Sequence, residues 1–238
     1  MMENRLEHQA FDAALHLLDR QVVDCEGLLV CKVDDLEISF YDTGSPPAVT
    51  RILAGPAALV PRMSSRTGHW LRRRWISLGI QYAARDVPLA ISLDHVAHVG
   101  SGVELTVSRE GLLDRQPAPD PGVRFRRMGE LVGMRVESGH PELRGKVLDV
   151  RLEPVGGRFL LRHFIVGPGR PGSLLGYERN DFNGPWLVAS VVEHLHRHLR
   201  LASCEGVEDS DIDWDAGVVR LGDDVAVGDV SFDGAGTT

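Results

Sequence analysis

Three stretches of this 238-residue sequence place chemically capable side chains at meaningful spacings. The first is "EHLHRHLR" at 193–200, where His194 and His198 stand four apart. On a helix that spacing puts two imidazoles on one flank, as in a shared metal site. A functional site needs a third or fourth ligand, and His196 falls on the other flank. With no glutamate placed as in a zinc protease, the residues point to a solvated flank rather than to a metal. The second stretch, "GPGRPG" at 167–172, is literally Gly-x-Gly-x-x-Gly after a strand-like run. A dinucleotide site requires a helix N-terminus facing the pyrophosphate directly after that turn. Pro168 and Pro171 make the turn unsuitable. No Ser/His/Asp or Cys/His order stands out, so neither catalytic residues, nor metal ligands, nor a cofactor are expected.

The third stretch concerns partners. Between Thr43 and Arg85 there is no acid, while Arg51, Arg62, Arg66, Arg72, Arg73, Arg74 and Arg85 are all present. "GHWLRRRW" adds Trp70 and Trp75 around the triple arginine. Arginine grips carboxylates and phosphates bidentately. Arg62, Arg66, Arg72, Arg73, Arg74 and Trp75 are therefore the expected contact surface for a protein partner or an anionic, membrane-associated complex. From Glu205 to Asp233 the balance reverses, with ten acids against Arg220 alone. That segment is expected to compete for the basic face. A net charge of −8 argues against general nucleic-acid binding.

These residues must be held by something, and the two lysines of the chain show what. Lys32 and Lys146 are the only lysines among 26 basic residues, and they fall in similar stretches. With a constant offset of 114, Leu17, Val22, Leu29, Lys32, Val33 and Asp35 meet Leu131, Val136, Leu143, Lys146, Val147 and Asp149. The Gly-Pro steps at 55–56 and 167–168 and the "GHWL" and "GPWL" quartets continue the parallel. Self-similarity at one fixed spacing predicts a tandem of like units, each long enough for its own modest core. Each unit reads as strands. "QVVDCEGLLVCKVDDLEISF" is a hairpin around an Asp-x-Glu-Gly turn. Leu36, Ile38 and Phe40 alternate with Asp35, Glu37 and Ser39, which predicts one packed face and one wet face. "RFLLRHFIV" at 158–166 predicts a further strand. Val188, Val191, Val192, Leu195 and Leu199 predict one packed helix per unit. Lys32 and Lys146 are expected at the rim, with Asp35 and Asp149 nearby as weak surface partners.

The stretches "HLLDRQVVDCEGLLVCKVDDLEI" and "ELVGMRVESGHPELRGKVLDVRLE" resemble the PRC-barrel family, in which a Gly/Cys-Lys-Val-x-Asp-Leu step opens the strand after the first hairpin. The closing "ISLDHVAHVGSGVELTV" is similar to the family's last strand pair. The resemblance implies a mainly β fold of two tandem small β-barrels, each with an accompanying helix. It also implies a binding or adaptor role without general catalytic residues. The family's barrels occur in the H subunit of photosynthetic reaction centres and in a ribosome maturation factor. This chain lacks the membrane helix of the first and the N-terminal domain of the second, so neither specific role transfers.

The expected division is barrel one at 12–108, a Pro-rich linker at 109–124, barrel two at 125–222 and a flexible acidic tail at 223–238. The charged start "MMENRLEHQAF" has no signal-like apolar run, and no stretch approaches the length of a membrane span. Cys25, Cys31 and Cys204 are sparse and lack metal-type spacing. The expected setting is cytoplasmic, including the inner face of a membrane, with self-association open. The leading function is a non-enzymatic interaction module. The alternatives are an accessory subunit of a membrane complex such as a metal transporter, and a metal-dependent enzyme using the histidine flank.

Overall fold

The structure is a computed structural model that describes residues 6, 10–59, 87–156, 158–168 and 198–230. It is mainly β. The chain opens with β1 (Phe11–Asp12) and the single turn of α1 (Ala13–His16), then β2 (Gln21–Val23), β3 (Leu29–Lys32), β4 (Asp35–Tyr41) and β5 (Ala48–Ala54). After α2 (Pro56–Leu59) come β6 (Leu89–Ser92), β7 (Val96–Val99), β8 (Val103–Leu105) and β9 (Asp114–Arg115). The second half runs β10 (Val123–Arg127), α3 (Met128–Leu131), β11 (Arg135–Glu137), β12 (Gly145–Val155) and β13 (Arg158–Gly167). It closes with β14 (Arg200–Ser203), β15 (Ile212–Asp213), β16 (Val218–Arg220) and β17 (Val227–Asp229). The helix expected over Val188–Leu199 lies outside the described residues except at its end.

Strand pairing repeats between the halves. β2 pairs antiparallel with β3 and parallel with β8, with Gln21 opposite Lys32 and Val22 opposite Val103. β11 pairs antiparallel with the start of β12 and parallel with β16, with Arg135 opposite Lys146 and Val136 opposite Val219. The turns that feed these hairpins also match. Asp19, at φ 66, and Gly133, at φ 98, both take left-handed backbone after a short helix. Their N–H groups donate to Val33 and Val147 at 2.9 and 2.8 Å. Asp and Gly are residues that tolerate this conformation.

Five antiparallel contacts in a row tie the halves together: β10 to β4, β4 to β5, β5 to β13, β13 to β12, and β12 to β1. The order reads alike from both ends. Each end is an arm from the opposite half: β1 and α1 precede the first hairpin yet lie on β12, while β10 and α3 precede the second hairpin yet lie on β4. The buried core is accordingly shared, with Leu17, Leu36, Ile38, Ile52, Met128, Leu152, Leu161 and Phe164 in one cluster. Among the described residues the strands form one thirteen-stranded sheet and one four-stranded sheet, and neither closes on itself.

Three expectations change. The "wet" face of β4 is covered, because Asp35, Glu37 and Ser39 are as buried as Leu36, Ile38 and Phe40. The stretch 109–124 is more than a connector, since β9 pairs with β6. Finally, the segment expected as tail contains β17, which pairs with β14 from Ala202 to Arg200. Leu89 opposite Arg115 and Arg200 opposite Asp229 are corresponding edge pairings in the two halves.

Candidate functional site

Burial of charge is the clearest signal, because a buried carboxylate must be satisfied by hydrogen bonds or partners. Asp12, Asp35, Glu37, Asp149 and Asp209 are all buried and all lie where one half meets the other. Asp149 sits on β12 under the start of α1. Its Oδ1 accepts from the Ala14 and Val150 N–H groups, both at 2.7 Å, and its Oδ2 accepts from Leu15 at 3.2 Å. Asp35 does the same work on β4. Its Oδ1 accepts from Leu36 at 2.8 Å and from Gly129, in α3, at 2.9 Å. A short helix has unpaired N–H groups at its start, and a side-chain acceptor satisfies them. Here the acceptor comes from the other half of the chain. The sequence match pairs Asp35 with Asp149 but gives no hint of this role. Lys32 instead bonds Asp19 at 3.0 Å, both being half-exposed.

Around each cap the polar contacts differ. Next to Asp149, Asp12 is strand partner to Arg151 and accepts from its Nε at 2.8 Å and Nη2 at 3.3 Å. Burial pushes the Asp149 carboxyl up to about 8, the Asp12 charge adds to the rise, and the three N–H donors oppose it. Across β12, burial and the neighbouring Arg151 hold the His163 imidazole below its usual range. On β4, Glu37 accepts from Thr50 Oγ1 at 2.6 Å and from Arg51 Nη1 and Gln116 Nε2, both at 2.5 Å. The Arg51 guanidinium lies 5.0 Å over the Phe125 ring of β10.

The far side of β10 is fixed by Asp209. It takes Arg126 Nε and Nη2 as a fork, both at 2.7 Å, with Trp214 Nε1 at 2.9 Å and Arg124 Nη1 at 3.3 Å. Desolvation raises the Asp209 carboxyl, but bonds to Arg126, Arg124 and Trp214 outweigh it and leave it below the usual range. Arg126 also covers the Trp214 ring at 4.7 Å.

A carboxyl near 8 could in principle exchange a proton at neutral pH. Both oxygens of Asp149 are nevertheless engaged by backbone N–H groups beneath α1, so the arrangement positions an arm. Among the described residues no group of three His, Cys, Asp or Glu side chains is arranged to hold a metal ion. The three cysteines are free thiols, and burial raises Cys31 to about 11. Among the described residues no helix is long and apolar enough to cross a membrane.

The residues proposed from sequence as the contact surface, Arg62, Arg66, Arg72, Arg73, Arg74 and Trp75, lie outside the described residues, as do Trp70, His194 and His196. Arg51, counted in the same acid-free stretch, is spent internally on Glu37 and Phe125. Three of the acids expected to compete for that stretch bond within the described residues. Asp213 binds Arg220 at 2.9 Å, Asp223 accepts from Gly139 N–H at 3.0 Å, and Asp229 binds Arg200 at 3.1 Å. Sequence reasoning passed over Asp12, Glu37 and Asp209. For Glu37 the only signal was its alternation with apolar residues along β4, which by itself reads as a wet face.

Comparison with protein-family models gave no match to this chain, and comparison with curated proteins gave none either.

Proposed function

We propose that this chain is a non-enzymatic interaction module built from two PRC-barrel-like units of common origin. It engages a protein or an anionic membrane-associated complex through the arginine-rich stretch of its first unit. The observation that carries this reading is the use made of the buried charges: the caps at Asp35 and Asp149 hold backbone, and Asp12, Glu37 and Asp209 hold arginines. Perturbed groups in an enzyme are arranged toward a substrate; here Asp12, Asp35 and Asp149 bond the other half of the chain, while Glu37 and Asp209 bond arginines of their own half. The common origin is supported by the offset shared by Gln21/Lys32 and Arg135/Lys146, by the paired left-handed turns, and by the matching edge strands. The barrel resemblance rests on the Cys-Lys-Val-Asp-Asp-Leu and Gly-Lys-Val-Leu-Asp-Val steps.

The test is binding by the full chain to vesicles containing phosphatidylserine and, separately, capture of partners from the native host. Both use wild type and the Arg72→Ala/Arg73→Ala/Arg74→Ala variant. The reading expects an interaction that weakens with salt and is lost in the variant without a change in melting temperature. Equal binding by both proteins at low and moderate salt overturns it.

A further inference from the structure

The two arms meet seats of closely similar build. β4 offers Leu36, Ile38 and the Asp35 cap, while β12 offers Val150, Leu152 and the Asp149 cap. Backbone pairing and capping therefore give an arm little reason to prefer one seat over the other. The strand register shows one feature that does. On β12, Asp12 of the first arm stands directly opposite Arg151. On β4, Arg127 of the second arm stands directly opposite Glu37. The signs are reversed between corresponding positions: an acidic arm on a basic strand, and a basic arm on an acidic strand. Directly opposed residues on neighbouring strands share a face and lie within side-chain reach. Exchanging the seats would set Asp12 against Glu37 and Arg127 against Arg151. Asp12 and Glu37 are both buried, and Glu37 already takes Arg51, so an exchanged Asp12 would lose Arg151 and meet a like charge, which is expensive in a buried site.

We propose that this reversed charge order selects the seat of each arm, sending it across to the opposite half and excluding the alternative docking. That alternative includes docking on the non-corresponding seat of a second copy of the same chain, since a second copy presents the same two seats. Asp12 and Arg151, which bond directly, are the specificity-determining pair of the first contact. In the second, Arg127 stands opposite Glu37 but donates to the Ala57 carbonyl, while Glu37 takes Arg51, so the charge order acts there through register and field rather than through a bond. Opposing a wrong partner with like charge is a general route to specificity. The inference stands on strand register alone and does not depend on what the protein binds.

The test keeps the first contact complementary while giving it the sign order of the second. The full chain carrying Asp12→Arg/Arg151→Glu retains an oppositely charged pair, so a purely local role for the pair predicts wild-type behaviour. The proposal predicts that this variant, refolded from urea over a hundred-fold range of concentration, gives a larger species whose share rises with concentration, or a doubled set of amide signals. Wild type under the same conditions gives neither. Asp12→Asn/Arg151→Gln, which removes the charges without reversing them, should show the same trend more weakly. A single species of wild-type size from both variants at every concentration overturns the proposal. So does failure of both to fold, because the bond itself and not the order of signs would then be decisive.

Discussion

Replacing Asp149 by asparagine isolates the charge of the buried cap from its hydrogen bonds. Oδ1 carries the two short bonds, to Ala14 and Val150, whereas Oδ2 meets only the longer contact to Leu15. Asparagine keeps the Oδ1 acceptor and resembles the protonated acid, so at pH 5 the variant should be within about 1–2 kcal/mol of wild type. The pH dependence should separate them. The folded carboxyl lies near 8, against 3.8 for an exposed aspartate. Between those values the folded chain keeps a proton that the unfolded chain has lost. Wild-type stability should therefore fall as pH rises from about 4, and level off above about 8. The greatest slope from one such group is about 1.4 kcal/mol per pH unit. Asp149→Asn lacks this titration while sharing every other ionisable group, including Asp12, His16 and Arg151. Urea unfolding at pH 5, 6, 7 and 8 measures the difference. The stability of the variant relative to wild type should climb steadily across that series. Parallel curves would refute the reasoning, because they would mean that burial does not hold a proton on Asp149. Asp149→Ala, by contrast, strands the buried Ala14 and Val150 N–H groups and the half-buried Leu15 N–H and removes a helix cap, a loss on the order of 3 kcal/mol at pH 5.

Asp35→Ala should expose the second arm, costing about 2 kcal/mol for the stranded Leu36 and Gly129 N–H groups, and speed proteolysis between 116 and 128 in a limited-digestion time course. Gly145→Ala should destabilise severely, by about 3 kcal/mol or more in a chemical melt, because φ is +131° and an added Cβ would lie 2.1 Å from the Gly167 carbonyl oxygen. Asp209→Asn should lose more stability at pH 7 than at pH 3. Its carboxyl is held below the usual range, so its contribution is present above about pH 4 and disappears as pH falls through the folded value. Thermal melts at the two pH values check this.

How much of this was legible in the sequence follows from the range of the interactions. The hairpin of β2 and β3 and the strand at 158–167 came from local signals: Asp24 Oδ1 accepts from Glu26 and Leu28 across the turn, and alternation or apolar runs set the strands. The offset between Lys32 and Lys146 likewise predicted strands with the same register, because like residues at one spacing impose like pairing. What a strand's second face would meet was not local information. Asp35, Glu37 and Ser39 read as solvent-facing by period and by polarity. They are buried because a segment about 90 residues further along the chain, β10 and α3, returns to cover them. The same crossing converts Asp35 and Asp149 from expected surface partners of lysine into caps for arms of the opposite half. It also gives Asp12 and Arg151, 139 positions apart, a shared bond. Sequence determined the first hairpin, the strand at 158–167 and the identities of the charges. Tertiary structure alone decided which charges meet, because each contact depends on closing a long loop between segments that carry no mark of their partner.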